Sequence, residues 1–247
     1  MRVCVAQTKP KAGDIPQNIE AHLTLIDLAV GHNGDLILFP ELSLTGYEPT
    51  QASQLATTPD DTRLDVFQQR STLHNLTIAV GIPTRVPDGI CISLVVFQPD
   101  TPRQVYSKQY LHADEEPYFV PGQPLTELSV CTHSVALAIC YELSVPQHAQ
   151  AAADRGANLY LASVVKSVNG IDKALTRLAA IAQTYSLPVL MANSVGQADG
   201  DECAGRSSVW NASGILIGQL NGTDEGLLLF DTYTQEAMAL PLPSARE

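Results

Sequence analysis

Short apolar runs alternate with amphipathic segments along the chain, and that rhythm confines it to a mixed α/β fold. Arg2–Gln7 reads as a strand. Ile19, Leu23, Ile26 and Val30 then recur at helical spacing until Asn33-Gly34 stops them. Residues 36–39 form the next predicted strand, 60–74 a helix carrying Leu64, Phe67 and Leu73, and 76–82 a strand. Pro87-Asp88-Gly89 turns into a strand over 90–97, a hairpin signal, and Asp100-Thr101-Pro102 turns again into Gln104–Ser107. The second half repeats the rhythm. A strand over 134–140 is followed by a helix that Pro146 starts and Gly156 ends. A strand at Leu159–Ser163, a helix at Ile171–Tyr185 and a strand over 187–193 come next. Val209, 215–217 and 227–230 read as antiparallel finishing strands, and the tail after Leu240 lacks periodicity. Pattern alone stops at the class, mixed α/β.

At 247 residues, 45% of them hydrophobic, the chain suits one large domain spanning 1–247. A formal charge of −12 argues against nucleic acid, because phosphate binding needs an excess of Lys and Arg. The five cysteines are scattered, with neither a disulfide framework nor a Cys-x-x-Cys zinc pattern, so a reducing, cytoplasmic setting is expected. The opening Met1-Arg-Val-Cys-Val-Ala-Gln7 is too quickly polar for a signal peptide, and no apolar run approaches the roughly 20 residues of a spanning helix. No membrane partner is expected.

Three strand ends carry reactive side chains. In Ser134-Val-Ala-Leu-Ala-Ile-Cys140-Tyr141-Glu142, an apolar strand delivers a thiol into a turn. A thiol so held can face a pocket, with the Tyr141 N–H free to meet a substrate oxygen. Taken by itself, Cys140 is better explained as a small buried hydrophobe, and the other two segments reverse that reading. Glu41 follows Leu36-Ile-Leu-Phe-Pro40, where poor solvation raises a carboxyl pKa toward that of a general base; a turn carboxylate is the plainer reading. Lys108 ends a strand ahead of an aromatic, Pro/Gly-rich loop, and read alone is a surface lysine.

Together, in the order Glu, Lys, Cys, these segments closely resemble the nitrilase superfamily of carbon–nitrogen hydrolases. The resemblance rests on Phe39-Pro40-Glu41-Leu42, Lys108 followed by Leu111, Tyr118-Phe119-Val120-Pro121-Gly122 and Ile139-Cys140-Tyr141-Glu142. It continues through Gly156-Ala157, Ala192-Asn193-Ser-Val-Gly196 and Gly205-Arg-Ser207-Ser208, covering essentially the whole chain. It implies a four-layer α-β-β-α sandwich, with Glu41 as general base, Lys108 as oxyanion-stabilising lysine and Cys140 as nucleophile. Many members carry a second active-site glutamate six residues before the proline of the Pro-Gly pair. That position is Glu115, with Glu116 its immediate neighbour. The family also commonly dimerises, so a homodimer or higher homo-oligomer is expected.

The implied chemistry is hydrolysis of a small linear carboxamide through a thioester, with no metal or cofactor. Glu115 would orient the base or the substrate by hydrogen bonding. His112 as the base of a Cys/His dyad is the rival mechanism, but no partner is evident to orient it. Tyr47, Tyr118 and Tyr141 are candidates for the substrate cavity. Glu142 either shapes the pocket or caps the following helix. Asn193 and Gly196 read as determinants of a tight turn. Nitrilase action is disfavoured because family nitrilases usually carry Trp where Tyr141 stands. The same scaffold also accommodates an N-carbamoyl hydrolase or a non-catalytic small-molecule binding protein.

Overall fold

The computed structural model describes residues 1–123 and 128–242. Among these the chain forms two main sheets, a seven-stranded and a six-stranded one, with a two-stranded ribbon beside them. At the centre of the larger sheet Arg2–Gln7, Leu36–Leu38 and Thr77–Val86 run parallel. Gly89–Phe97 and Gln104–Ser107 extend it antiparallel on one side, Gly226–Asp231 and Glu236–Pro241 on the other. The smaller sheet repeats the device with His133–Ile139, Leu159–Ser163 and Val189–Ala192 in parallel.

Alternation along the strands explains the layering. Val3 and Val5 join the core shared with the second sheet's Leu137, Ile139, Leu161 and Met191. Cys4 and Ala6 face the other way and pack with Ile19, Leu25 and Ile26 of the helix Ile15–Gly31 and with Phe67 of the helix Asp65–His74. Leu178 and Ala182 of the helix Ile171–Tyr185, and Ala149 and Ala152 of the helix Pro146–Asp154, cover the second sheet. The result is a four-layer α-β-β-α sandwich. The Ser163 hydroxyl donates to the Phe39 carbonyl (2.8 Å), tying the two sheets together beside the site.

Several expectations shift. The helix read over 60–74 begins as a 3₁₀ turn at Thr62–Leu64 and becomes regular only from Asp65, and Leu73 lies on its exposed side. The hairpin Val195–Ala198 with Asp201–Ala204 has no counterpart among the predicted strands. The edge strand Glu236–Pro241, just ahead of the tail, has no counterpart among the predicted strands either, and residues 243–247 of the tail fall outside the described residues. No described helix is long and apolar enough to cross a membrane.

Gly81 sets how closely the Glu41 loop rests on the sheet. A Cβ there would lie 2.3 Å from the Pro40 oxygen and 2.5 Å from the Leu42 nitrogen, both backbone atoms with little room to move. Gly81→Ala should therefore cost about 1–3 kcal/mol of stability, read by denaturant unfolding. A variant as stable as the parent would mean that the loop does not rest on this glycine.

Candidate active site

Each reactive side chain leaves the carboxyl end of a strand, where open α/β sheets place their ligand sites. Pro40 stops ladder pairing after Leu36–Leu38. Leu42 adopts a positive φ of 51°, and between them Glu41 turns inward, 1% exposed. Lys108 follows Gln104–Ser107 and is completely buried. Its ammonium donates to Glu41 Oε1 (2.8 Å) and to Glu115 Oε1 (2.6 Å). Glu115 also accepts from the Tyr47 hydroxyl (2.9 Å) and, through Oε2, from the His112 backbone N–H (2.8 Å). Glu41 Oε2 is buried and has no hydrogen-bond partner. One acceptor is thus left over for an incoming proton.

Cys140 opens a 3₁₀ turn, Cys140–Ser144, with φ at 44°, a backbone state that L-residues avoid unless their surroundings impose it. Glu142 supplies much of that imposition. Its carboxylate accepts from the Ile139 N–H (2.7 Å), the Gln109 N–H (2.7 Å) and the Tyr106 hydroxyl (2.5 Å). The two strand ends bearing Cys140 and Lys108 therefore share one carboxylate.

Burial pushes the Cys140 thiol above its ordinary value, and the Glu41 charge adds to this; Lys166 and Lys108 pull the other way. Burial likewise raises the Glu41 carboxyl, against the pull of Lys108. Burial would depress the Lys108 ammonium, but Glu41, Cys140 and Glu115 around it keep it above the usual lysine range. The resting site is a protonated thiol, a reluctant carboxylate and a fixed cation. Such a set can take a proton from sulfur during attack and hold negative charge as it forms.

A cavity of about 280 Å³ opens over the sulfur, lined by Tyr47, His112, Glu115, Cys140, Tyr141 and Lys166 among others. The structure thus gathers Glu41, Lys108, Glu115, Cys140, Tyr47 and Tyr141. Glu116 lies at the surface beside buried Glu115. Two expected cavity residues are placed elsewhere. Tyr118 is 41% exposed and does not line the cavity, because the loop turns Phe119 inward instead. Glu142 is fully buried beneath the Cys140–Ser144 turn, where backbone donors require an acceptor. His112 lines the cavity, with its ring on Asp114 Oδ1 (2.5 Å).

Sequence reasoning missed Lys166. It stands three residues beyond the strand Leu159–Ser163, the parallel neighbour of the strand that carries Cys140, and it lines the same cavity as the sulfur, close enough for the two charges to interact. The Asn193 side chain fixes its backbone, accepting from Lys166 N (2.8 Å) and donating to Lys166 O (3.2 Å). A lysine just past a strand end was the available signal, the same one that marks Lys108. Among the described residues no group of three or more His, Cys, Asp and Glu side chains is placed to hold a metal ion.

Residues 2–238 match the family model described as carbon-nitrogen hydrolase. The chain belongs to the carbon–nitrogen hydrolase family. Among solved structures, the chain is similar to the NitN amidase of Nesterenkonia sp. AN1, with 26% identity and a TM-score of 0.84, over 99% of this chain and 94% of that one. It is 27% identical to an (R)-stereoselective amidase of a Pseudomonas species over 81% of this chain and 73% of the relative. It is also 26% identical to a glutamine-dependent NAD(+) synthetase of Thermotoga maritima. That match takes in 100% of this chain but only 44% of the synthetase, so the chain spans less than half of that relative's length.

Lys108 offers a test of the buried cluster. Lys108→Met leaves the Glu41 and Glu115 carboxylates without their cation, and removing one partner from a buried ion pair typically costs about 3–5 kcal/mol. The Glu41 carboxyl, already raised by burial, would rise further. A carboxyl with a raised folded-state pKa holds its proton in the folded state after the unfolded chain has released it. Stability of the variant should then fall as pH climbs from the ordinary carboxylate value toward the raised one. Denaturant unfolding across that range should show this slope, steeper than in the parent. Equal slopes would contradict the pairing.

Proposed function

We propose that the enzyme hydrolyses a small linear carboxamide to its carboxylic acid and ammonia through a thioester on Cys140. The observation that carries this is the buried, unpartnered Glu41 Oε2 in a site whose thiol is held protonated. In the first half-reaction the Cys140 sulfur bonds to the amide carbon as its proton passes to Glu41. The oxyanion forms between the Lys108 ammonium and the Tyr141 N–H, donors of a kind worth about 2.7–4 kcal/mol each in a transition state. Glu41 returns the proton to the nitrogen, the C–N bond breaks and ammonia leaves. In the second half-reaction water gives a proton to Glu41 as its oxygen adds to the thioester carbon. Collapse expels the sulfur, which recovers that proton.

In this reading Glu115 is a positioning residue, since it touches Lys108, Tyr47 and the His112 backbone. Lys166 steadies the sulfur whenever it carries charge. Asp114 does give the His112 ring a partner, but that ring is largely exposed, whereas the free oxygen of Glu41 is buried in the cluster whose charges act on Cys140, so Glu41 is assigned as the base.

Ammonia and carbon dioxide released from a simple amide and from a carbamoyl compound test the reading. Ammonia alone, from the simple amide, is expected. Carbon dioxide with ammonia would make the enzyme a carbamoylase, and no release from either would overturn the hydrolytic reading. Cys140→Ala should lower turnover at least a thousandfold. Glu115→Gln should lose about a hundredfold through mispositioning, whereas Glu116→Gln should match the parent in kcat/KM. The reverse order for the two glutamates would remove Glu115 from the site.

A further inference from the structure

The cavity over Cys140 continues into a second recess of about 360 Å³, and the two share His112, Tyr141, Lys166 and Gly170. Lys166, Lys173 and Arg177 all line this recess, and no Asp or Glu does. Three of the 14 Lys and Arg of a chain with net charge −12 are thus gathered at one place beside the nucleophile. Among the described residues, none of the three forms an ion pair with a carboxylate.

The arrangement works against local stability. Lys173 and Arg177 are four residues apart on the helix Ile171–Tyr185, a spacing at which like charges repel. Lys173 also lies in that helix's first turn, where the dipole disfavours a cation. Arg177 is held in place nonetheless, its guanidinium donating to the Ser144 hydroxyl of the nucleophile's own turn. The wall of the cavity over the sulfur carries Asp114, Asp199 and Asp201, none of which lines the recess. An anionic group entering the site is therefore repelled from that wall and drawn toward the cationic recess. A guanidinium presents paired donors that match a carboxylate, and lysine adds a point charge.

We infer that the recess binds a free carboxylate at the far end of the substrate. The amides hydrolysed are then monoamides of dicarboxylic acids, with the amide carbon at Cys140 and the carboxylate held by Lys173 and Arg177. This rests on the amide-hydrolase reading and narrows it to a substrate class.

The test compares succinamate, glutaramate and adipamate with matched neutral amides in which an isopropyl group replaces the carboxylate. For at least one length, kcat/KM should favour the acid over its neutral partner by about a hundredfold or more, and Lys173→Glu with Arg177→Gln should cut that ratio at least tenfold. Equal kcat/KM for acids and neutral partners would overturn the carboxylate site while leaving amide hydrolysis intact. Calorimetric binding to the Cys140→Ala protein gives a readout independent of turnover. There an acid should bind at least tenfold more tightly than its neutral partner, with the preference lost in the charge variants. Absence of that preference at every length would overturn the inference whether or not any amide is hydrolysed.

Discussion

A lysine with no exposed surface is tolerable only if its charge is answered, and the arrangement of this site follows from how Lys108 is answered. The carboxylates of Glu41 and Glu115 both contact its ammonium, which settles the cost of burying one cation but leaves one negative charge in excess. Lys166, on the cavity side of the sulfur, supplies the second positive charge. Two carboxylates and two ammoniums balance while Cys140 keeps its proton, and ionising the thiol would upset that balance. This is why burial and Glu41 together favour the neutral form of the sulfur.

The scaffold serves that balance by bringing strand ends together. Parallel strands linked by helices deliver Glu41 from one sheet and Cys140 and Lys166 from the other, while Gln104–Ser107 brings in Lys108. Beneath the turn, Glu142 binds the strand ends of Lys108 and Cys140 into one unit. Burial raises its carboxyl to about 7 against three donors that favour the anion. Residue 142 therefore acts on Cys140 through the backbone, without reaching the cavity.

Most of this was legible in the sequence wherever an apolar run meets a polar residue at a strand end, as at Leu36–Leu38 before Glu41 and His133–Ile139 before Cys140. The choice of Glu115 over Glu116 came from the family resemblance, which places a glutamate six residues before Pro121, and it is Glu115 that is buried. What escaped had weak or borrowed signals. Glu236–Pro241 is an exposed edge strand, so its alternation lacks a buried face and it ends in proline. The hairpin around Asp199-Gly200 is mostly polar because it rims the cavity. Lys166 lies past a short apolar run that shows only a strand, and its nearness to the sulfur exists only once Leu159–Ser163 pairs beside His133–Ile139. Tyr118 and Phe119 are adjacent aromatics, and only the turn around Glu115 decides which of them faces inward.

The charge balance around Cys140 is the central claim, and thiolate absorbance in the ultraviolet tests it most directly. The difference between the parent and Cys140→Ala, followed with pH, gives the titration of this one sulfur. The account requires it to titrate above the ordinary cysteine value, to move down in Glu41→Gln, where a neighbouring negative charge is gone, and to move up in Lys166→Met. A Cys140 already ionised in the parent at neutral pH, or one that Glu41→Gln shifts upward, would contradict it.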